Sequence, residues 1–206
     1  MINISKDHVP TTSKKRTKIP MNPTYITVHS TANPTSSAKN ERAWLTNPEN
    51  TTETGYHYVV DDKETIECIP PNEVAWHAGD GRGNGNMKSI GVEICESGNR
   101  QKTLQNAIGL IQHLMKAHNI TKVVRHYDWS KKNCPRILNT RGDWKEWNDF
   151  HARITKKEDD PYEKAVQELV LAGIIGSPAA WMNLEKVHVN NVKSLIIKMA
   201  AYTQGV

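Results

Sequence analysis

Short runs in which apolar and polar residues alternate recur over the first three-quarters of the chain, and this pattern predicts β-strands. The predicted strands are residues 25–30, 56–60, 65–69, 89–95 and 122–126. The second and third flank the turn sequence Asp61-Asp62-Lys63, which predicts a hairpin. In the fourth, SIGVEIC, the apolar residues Ile90, Val92 and Ile94 form one face, so Glu93 lies on the other.

Apolar positions three and four residues apart predict helices between these strands. A long helix is expected over residues 103–118, and a short one over residues 37–45 with Ser36 or Ser37 as its N-cap. Residues 79–86 (GDGRGNGN) contain too much glycine for a helix or strand and predict a loop. Residues 1–24 are polar and interrupted by proline, and we interpret them as a surface arm.

The pattern changes at the charged segment TKKEDD, which begins at residue 155. Before it, interleaved strands and helices predict a mixed α/β domain over residues 1–154, with a central mixed β-sheet flanked by helices. After it, residues 155–206 predict a small all-α module, in which Val166, Leu169, Ile196 and Met199 occupy apolar helix faces. Its first helix is expected to begin at Asp160-Pro161, and residues 176–178 (GSP) should separate it from the next.

Charge and composition exclude several classes of function. The formal net charge is +5, but no Lys/Arg block or nucleic-acid-binding motif is present, so we expect no nucleic acid partner. No apolar run approaches the roughly 20 residues of a membrane span, so membrane insertion is not expected. The first residues lack the apolar core of a signal peptide, which predicts synthesis in the cytoplasm without one. Three cysteines do not suggest a disulfide framework, and Cys68 and Cys95 are expected to be buried thiols.

Three residues offer the ligand types that zinc prefers. His29 lies in the first predicted strand, His126 ends the last one, and Cys134 follows eight residues later, before Pro135. Catalytic zinc sites use three protein ligands, commonly imidazole nitrogen and thiolate, and leave a fourth position open. The spacing alone is weak support for a metal site, because isolated histidines are usually structural.

Five motifs in order give the chain a specific resemblance. They are ITVHSTA (26–32), GYHYVVDD (55–62), AWHAGDG (75–81), SIGVEIC (89–95) and RHYDWSKKNCP (125–135). Together they resemble the type 2 N-acetylmuramoyl-L-alanine amidases, which share the fold of peptidoglycan-recognition proteins and occur in phage endolysins and bacterial autolysins. The resemblance spans about residues 20–154. It implies hydrolysis of the amide bond between N-acetylmuramic acid and L-alanine in the peptidoglycan of a Gram-positive wall.

The resemblance also implies roles for individual residues. Zinc would be bound by His29, His126 and Cys134. A strand carboxylate, Glu93, and a lysine two residues before the cysteine, Lys132, match further functional positions of the family. Some members use a tyrosine at the position of Tyr56, and others rely on the carboxylate, so the division of roles between Tyr56 and Glu93 stays open.

The chemistry of amide hydrolysis agrees with these positions. Glu93 stands among apolar strand residues, where a carboxylate is costly unless it is paired or used, so it is our candidate general base. Lys132 would stabilise the oxyanion that develops on the carbonyl oxygen. Trp76 and His77 are candidate contacts to sugar or peptide, with core packing as the alternative. His57 is expected to be a packed residue of the strand.

Two other functions remain as alternatives. A Cys-His peptidase would use Cys134 as its nucleophile, but such cysteines usually stand at a helix N-terminus rather than before a proline. A non-catalytic peptidoglycan-binding module would share the fold, but would typically lack the cysteine ligand. For the C-terminal module we expect wall binding, with dimerisation or stabilisation as the alternative. The missing signal peptide favours a phage or prophage endolysin that reaches the wall through a holin.

Overall fold

The structure is a computed structural model, and it describes residues 3–155, 165–166, 168–169, 193 and 196–201. The chain divides into two compact units, Met1–Thr155 and Lys156–Val206. Among the described residues, no helix has the length and apolar character that crossing a membrane would require.

A six-stranded mixed sheet forms the centre of the first unit, in the order β1-β4-β3-β5-β2-β6. Only the β3–β4 pair is antiparallel, and it forms the predicted hairpin. The strands are β1 (Ile4–Lys6), β2 (Tyr25–Ser30), β3 (Tyr58–Val60), β4 (Thr65–Glu67), β5 (Ser89–Ile94) and β6 (Lys122–Arg125). The predicted fold class is therefore confirmed, although the hairpin strands are shorter than their apolar runs.

Five helices and one 3₁₀ turn accompany this sheet within the described part of the unit. They are α1 (Ala38–Trp44), α2 (Asn84–Met87), α3 (Arg100–His118), α4 (His126–Ser130), the 3₁₀ turn Arg136–Leu138, and α5 (Lys145–Thr155). The N-cap side chains of α1 and α3 are Ser37 and Asn99, which accept hydrogen bonds from backbone N–H groups three residues on.

Two sequence predictions of local structure were wrong. The glycine-rich segment contains the start of α2, because the Asp80 carboxylate accepts hydrogen bonds from the backbone N–H groups of Gly85 and Asn86 and so supports a first turn. The last strand ends at Arg125, and His126 begins α4 instead. The cause is Asp128, whose carboxylate accepts hydrogen bonds from the backbone and the guanidinium of Arg125 and caps this helix.

The two faces of the sheet carry different sets of side chains. One face carries the larger apolar cluster, in which β2 and β5 pack against α3 and α5; its members include Ile26, Val28, Ile90, Val92, Leu110, Leu114 and Phe150. The opposite face carries a smaller cluster with Ala38 of α1, Cys68 and Cys95. Side chains alternate along a strand, so His29 and Glu93 lie opposite the large cluster. That face holds the candidate site.

The N-terminal segment is part of the domain, so the prediction of a surface arm was wrong. Its strand β1 pairs in parallel with β4, and Val9 is fully buried. Lys15 is also buried, and its Nζ donates hydrogen bonds to the carbonyl oxygens of Thr52 and Thr54 at 2.7 and 3.3 Å. The polar composition of this segment did not indicate these contacts, because Lys15 and Arg16 are charged residues that form hydrogen bonds inside the domain.

Arg16 forms an ion pair with Glu73. Its Nε donates a hydrogen bond to the Oε1 of Glu73 at 3.0 Å, and its Nη2 donates one to the Oε2 at 2.7 Å. Burial alone would raise the pKa of Glu73, but the hydrogen bonds from Arg16 and the Lys18 backbone outweigh it and hold this pKa below its usual range. A depressed carboxyl pKa adds stability above the pKa of the unfolded chain, and this stability is lost as the pH falls through the folded pKa.

Glu73→Gln is therefore expected to lower the free energy of unfolding by about 3 kcal/mol at pH 7, because Arg16 is left buried without its charge partner. The difference from wild type should shrink as the pH falls below about 4, the usual pKa of a carboxyl group in an unfolded chain, towards the lower pKa of Glu73 in the folded protein. Urea unfolding at pH 7 and pH 3 measures both values. A difference that is equal at the two pH values would show that the charge of Glu73 contributes nothing.

The second unit is described only in part. Its described helical residues bury a small apolar cluster, composed of Ala165, Val166, Leu169, Ile196 and Ala200. Met199, which the sequence places on an apolar helix face, is 44% exposed, whereas Ile196 and Ala200, one turn apart, are buried. The predicted helix start at Asp160-Pro161 and the break at residues 176–178 lie outside the described residues.

Candidate metal centre

Neighbouring parallel strands bring three of the predicted site residues side by side. His29 is the fifth residue of β2, and its partner in the register with β5 is Glu93. On the other side of β2, Val28 is paired with Arg125, so the next residue, His126, falls beside His29 at the end of β6. The register of β2 with its neighbours β5 and β6 therefore places these three residues next to one another.

Cys134 reaches the same place from the loop after α4. Its carbonyl oxygen accepts a hydrogen bond from the backbone N–H of Tyr127, which ties the loop back to the start of that helix. Its Sγ lies 3.4 Å from the backbone nitrogen of Ser30, next to His29. The cysteine is thus held against the end of β2 although it lies more than a hundred residues away in sequence.

The three predicted ligands converge. The Nδ1 atoms of His29 and His126 are 3.0 Å apart, and the Sγ of Cys134 is 3.9 Å from the Nδ1 of His29. One ligand atom from each residue lies within 4.8 Å of the other two, and all three side chains are buried. Two imidazole nitrogens and one sulfur are a donor set that suits zinc, and their separations leave room for one ion between them.

The pKa values of the two histidines are also compatible with binding of a cation by these residues. Burial, reinforced by the positive charges of neighbouring groups, lowers the pKa of His29 well below its usual range and that of His126 to about 4. Both imidazoles are therefore neutral at pH 7, as metal ligands must be. Burial raises the pKa of the Cys134 thiol to about 12, so a bound metal would have to displace its proton.

Glu93 supplies a carboxylate beside the three ligands. Its Oε1 lies 3.8 Å from the Nδ1 of His29, while its Oε2 is buried and has no hydrogen-bond partner. Burial, with a smaller contribution from Glu41, raises the pKa of Glu93 to about 8. A buried carboxyl group without a partner is costly unless it faces a ligand. A cation in the centre would favour its charged form.

These groups form the floor of an open cleft of about 440 Å³. Its lining residues are His29, Ser30, Thr31, Ala32, Thr54, Trp76, His77, Gly79, Asn86, Glu93, His126, Ser130, Lys132, Asn133, Cys134 and Arg136. Lys132 is exposed and places a cationic group in this lining. Trp76 also lines the cleft, and it packs partly against the large apolar cluster.

Tyr56 is the predicted site residue that the structure does not place in the cleft lining. Its hydroxyl donates a hydrogen bond to the carbonyl oxygen of Glu41 at 2.8 Å, and its ring belongs to the smaller apolar cluster. Burial raises the pKa of Tyr56 well above its usual value. The hydroxyl of Tyr56 is therefore already used in a hydrogen bond within the protein, away from the cleft.

Sequence reasoning missed two hydroxyl groups at this site. Thr31 Oγ1 and Ser130 Oγ line the cleft, and both are buried without a hydrogen-bond partner. Buried hydroxyls are normally paired, so these two are candidates to bind a ligand. Both lie inside the motifs that carry the family resemblance, within four residues of a proposed metal ligand, and this proximity is the signal that could have identified them.

The fold and the site together define a mixed α/β domain with a candidate metal centre in an open cleft. The sequence pattern of the N-acetylmuramoyl-L-alanine amidases matches residues 19–137. The chain belongs to this family, so the resemblance inferred from the five motifs is confirmed.

Individual relatives agree with this assignment. The chain is similar to the N-acetylmuramoyl-L-alanine amidase XlyA of Bacillus subtilis (strain 168), with 45% identity over 161 residues that cover 75% of this chain and 52% of XlyA. It is 41% identical over 182 residues to CwlH of the same strain, covering 85% of this chain and 70% of CwlH. The chain thus spans about half the length of XlyA.

Solved structures give the same result for the first unit. The catalytic domain of XlyA has a TM-score of 0.69 and 44% identity to this chain, covering 74% of it and 99% of that domain. A mutant endolysin from Bacillus subtilis also has a TM-score of 0.69 and 44% identity, covering 75% of this chain and 99% of its own.

Proposed function

We propose that this protein is a zinc-dependent amidase that hydrolyses the bond between N-acetylmuramic acid and L-alanine in the peptidoglycan of a Gram-positive wall. The observation that carries the proposal is the convergence of His29, His126 and Cys134 beside Glu93 at the floor of one cleft. Family membership supports the choice of substrate.

His29, His126 and Cys134 would hold the zinc ion, because their ligand atoms lie within 4.8 Å of one another. When bound, zinc supplies Lewis acidity, which makes water a stronger acid and polarises a carbonyl group. All other steps can be assigned to side chains of the chain itself.

Glu93 would take the proton of the attacking water as the water oxygen bonds to the carbonyl carbon. The carbonyl oxygen gains negative charge at this stage, and the ammonium group of Lys132 would stabilise it. Glu93 would then return the proton to the nitrogen of L-alanine as the C–N bond breaks. The products are the free carboxylate of the lactyl group on the sugar and a peptide with a new amino terminus.

The peptidase alternative is weaker on this geometry. A cysteine nucleophile reacts as the thiolate and needs a lowered pKa, whereas burial raises the pKa of Cys134 to about 12. The buried carboxylate of Glu93 argues in the same way against a purely binding role, because an unpaired Oε2 at the centre of a binding cleft suits chemistry better than packing.

Product analysis tests the proposed function. Purified walls are digested, and the new ends are identified by mass spectrometry, with a parallel sample treated with a strong chelator and then with zinc. We expect new L-alanine amino termini, loss of activity with the chelator, and recovery with zinc. New reducing sugar ends, or full activity in a metal-free preparation, would contradict the proposal.

We further propose that the protein acts as a phage or prophage endolysin. Synthesis in the cytoplasm and release through a holin would then bring it to the wall. The similarity to an endolysin chain over 75% of this chain supports this role. The second unit would bind the wall, with dimerisation as the alternative.

A shortened protein, residues 1–155, should separate the roles of the two units. All proposed chemistry lies in the first unit, so the shortened protein is expected to bind zinc and to cleave soluble peptidoglycan fragments at a near-normal rate. On intact cells it should be at least about tenfold weaker, because it loses the effective concentration that a second binding unit provides. Rates of both proteins on both substrates measure this difference.

Salt provides the control for this comparison. The net positive charge lies in the first unit, because the residues after position 156 are close to neutral. Attraction of the shortened protein to an anionic wall should therefore weaken as salt is raised. Equal losses on fragments and cells would assign the second unit to stabilisation instead, and no loss on either would contradict wall binding.

A further inference from the structure

His77 lies directly behind one of the proposed metal ligands. Its side chain is buried, with its Nδ1 3.0 Å from the Nε2 of His29 and its Nε2 3.1 Å from the carbonyl oxygen of Ser89. The ring meets His29 nearly edge-on, with an angle of 85° between the ring planes. Both of its nitrogens therefore have a fixed partner within the protein.

The carbonyl of Ser89 determines the direction of these hydrogen bonds. A carbonyl oxygen only accepts, so the single proton of the neutral His77 ring must be on its Nε2. Its Nδ1 is then an acceptor, and the Nε2 of His29 must donate to it. Because a neutral imidazole has one N–H, the Nδ1 of His29 is left with a free lone pair, which faces His126 and Cys134.

His126 faces the same point, because its Nδ1 lies 3.0 Å from the Nδ1 of His29. A cation between these two nitrogens would be bound by a lone pair from each of them. The opposite arrangement, with the proton of His29 on Nδ1, would leave the Nε2 of His77 and the Ser89 carbonyl as two buried acceptors facing each other.

The strand next to His77 leaves room for this ring. Gly91 of β5 has no side chain, and a Cβ built there would lie 2.8 Å from Cγ and Cδ2 of His77. The backbone N–H of Gly91 is bound by the Nδ1 of His57, whose Nε2 donates to the carbonyl of Glu73. Packing from the strand and hydrogen bonds from the backbone thus fix the position of His77.

We propose that His77 is a positioning residue: its hydrogen bonds to His29 and to the Ser89 carbonyl fix the His29 tautomer that presents Nδ1 to zinc. This role replaces the substrate contact that the sequence suggested for His77. It rests on the proposed zinc site. Interactions behind a metal ligand that fix its orientation typically contribute 10–100-fold to metal affinity.

Two substitutions of similar size separate hydrogen bonding from packing. His77→Asn keeps an acceptor oxygen near the place of Nδ1, whereas His77→Leu removes the acceptor. Zinc affinity of the full-length proteins is measured by competition with a chromogenic chelator, at a temperature where all of them are folded. His77→Leu should bind zinc about 10–100-fold more weakly than wild type, and His77→Asn should recover most of that loss.

A second measurement determines directly which ring nitrogen carries the proton in His77 and in His29. Nitrogen-15 spectra of the zinc-loaded wild-type protein should show His77 protonated on Nε2 and not on Nδ1, and His29 protonated on Nε2. A proton on the Nδ1 of His77, or equal zinc affinity in wild type and His77→Leu, would overturn the positioning role. Absence of zinc binding by the wild type would instead contradict the proposed function, so the two failures are distinguishable.

Discussion

Replacing Cys134 with alanine is expected to reduce wall hydrolysis by at least about a thousandfold, because loss of the metal removes several kcal/mol of transition-state stabilisation. The thiolate of Cys134 is the only anionic member of the proposed ligand set, and its sulfur is the third ligand atom of the proposed centre. Two neutral imidazoles alone should hold zinc weakly. Metal analysis of the purified variant should find far less than one zinc per chain, whereas the wild type should contain about one.

Cys95 provides a matched control for this experiment. It is also a buried free thiol, but it belongs to the smaller apolar cluster rather than to the cleft lining. Cys95→Ala should therefore retain zinc and activity, at a cost of about 1 kcal/mol in stability for the small cavity. Normal zinc content and turnover in Cys134→Ala would exclude Cys134 as a ligand.

Glu93→Gln should retain zinc and the fold but lose turnover by at least about a hundredfold, the usual scale of a general base. Glutamine has nearly the same shape, so the packing at the end of β5 is preserved, but its amide cannot take a proton from water. The measurement combines metal content, thermal unfolding and initial rates on purified walls. Near-normal turnover would exclude Glu93 as the base.

Glu67 is a suitable control because it is a buried carboxylate on the same sheet. It accepts hydrogen bonds from His8 and from the Tyr58 hydroxyl in this structure, and it is not part of the cleft lining. Glu67→Gln should lower thermal stability and leave turnover close to wild type. A similar loss of activity in both variants would show that the effect of Glu93→Gln arises from general destabilisation of the sheet.

Much of the fold could be predicted from local pattern. The central strands and α3 follow directly from apolar periodicity, because their buried faces are uninterrupted. The start of α4 at His126 could not be predicted in this way, because it depends on the hydrogen bonds that Asp128 makes. The N-terminal strand was missed for a related reason: three residues such as Ile4–Lys6 carry no periodicity, and their partner β4 is about sixty residues away.

The residues of the site also differ in how far they could be predicted from the sequence. His29, Glu93, His126 and Cys134 could be selected from motifs and residue chemistry, because metal binding and base catalysis need particular side chains. The hydrogen bonds of Tyr56 and His77 could not be predicted, since the partner of each lies far away in the sequence. The carbonyl group of Ser89, which determines the direction of the hydrogen bonds around His77, belongs to the backbone. The identity of residue 89 therefore could not indicate this contact.

The position of β1 has a practical consequence for engineering this domain. The family match begins at residue 19, which invites removal of everything before it when a minimal domain is designed. Such a cut would remove β1 and leave β4 as an open sheet edge with unpaired N–H and C=O groups. It would also remove Lys15, which holds the loop that carries Thr54 into the cleft wall. A shortened fragment of the first unit should therefore keep the N-terminal strand, because without it the exposed edge of β4 becomes a site for aggregation.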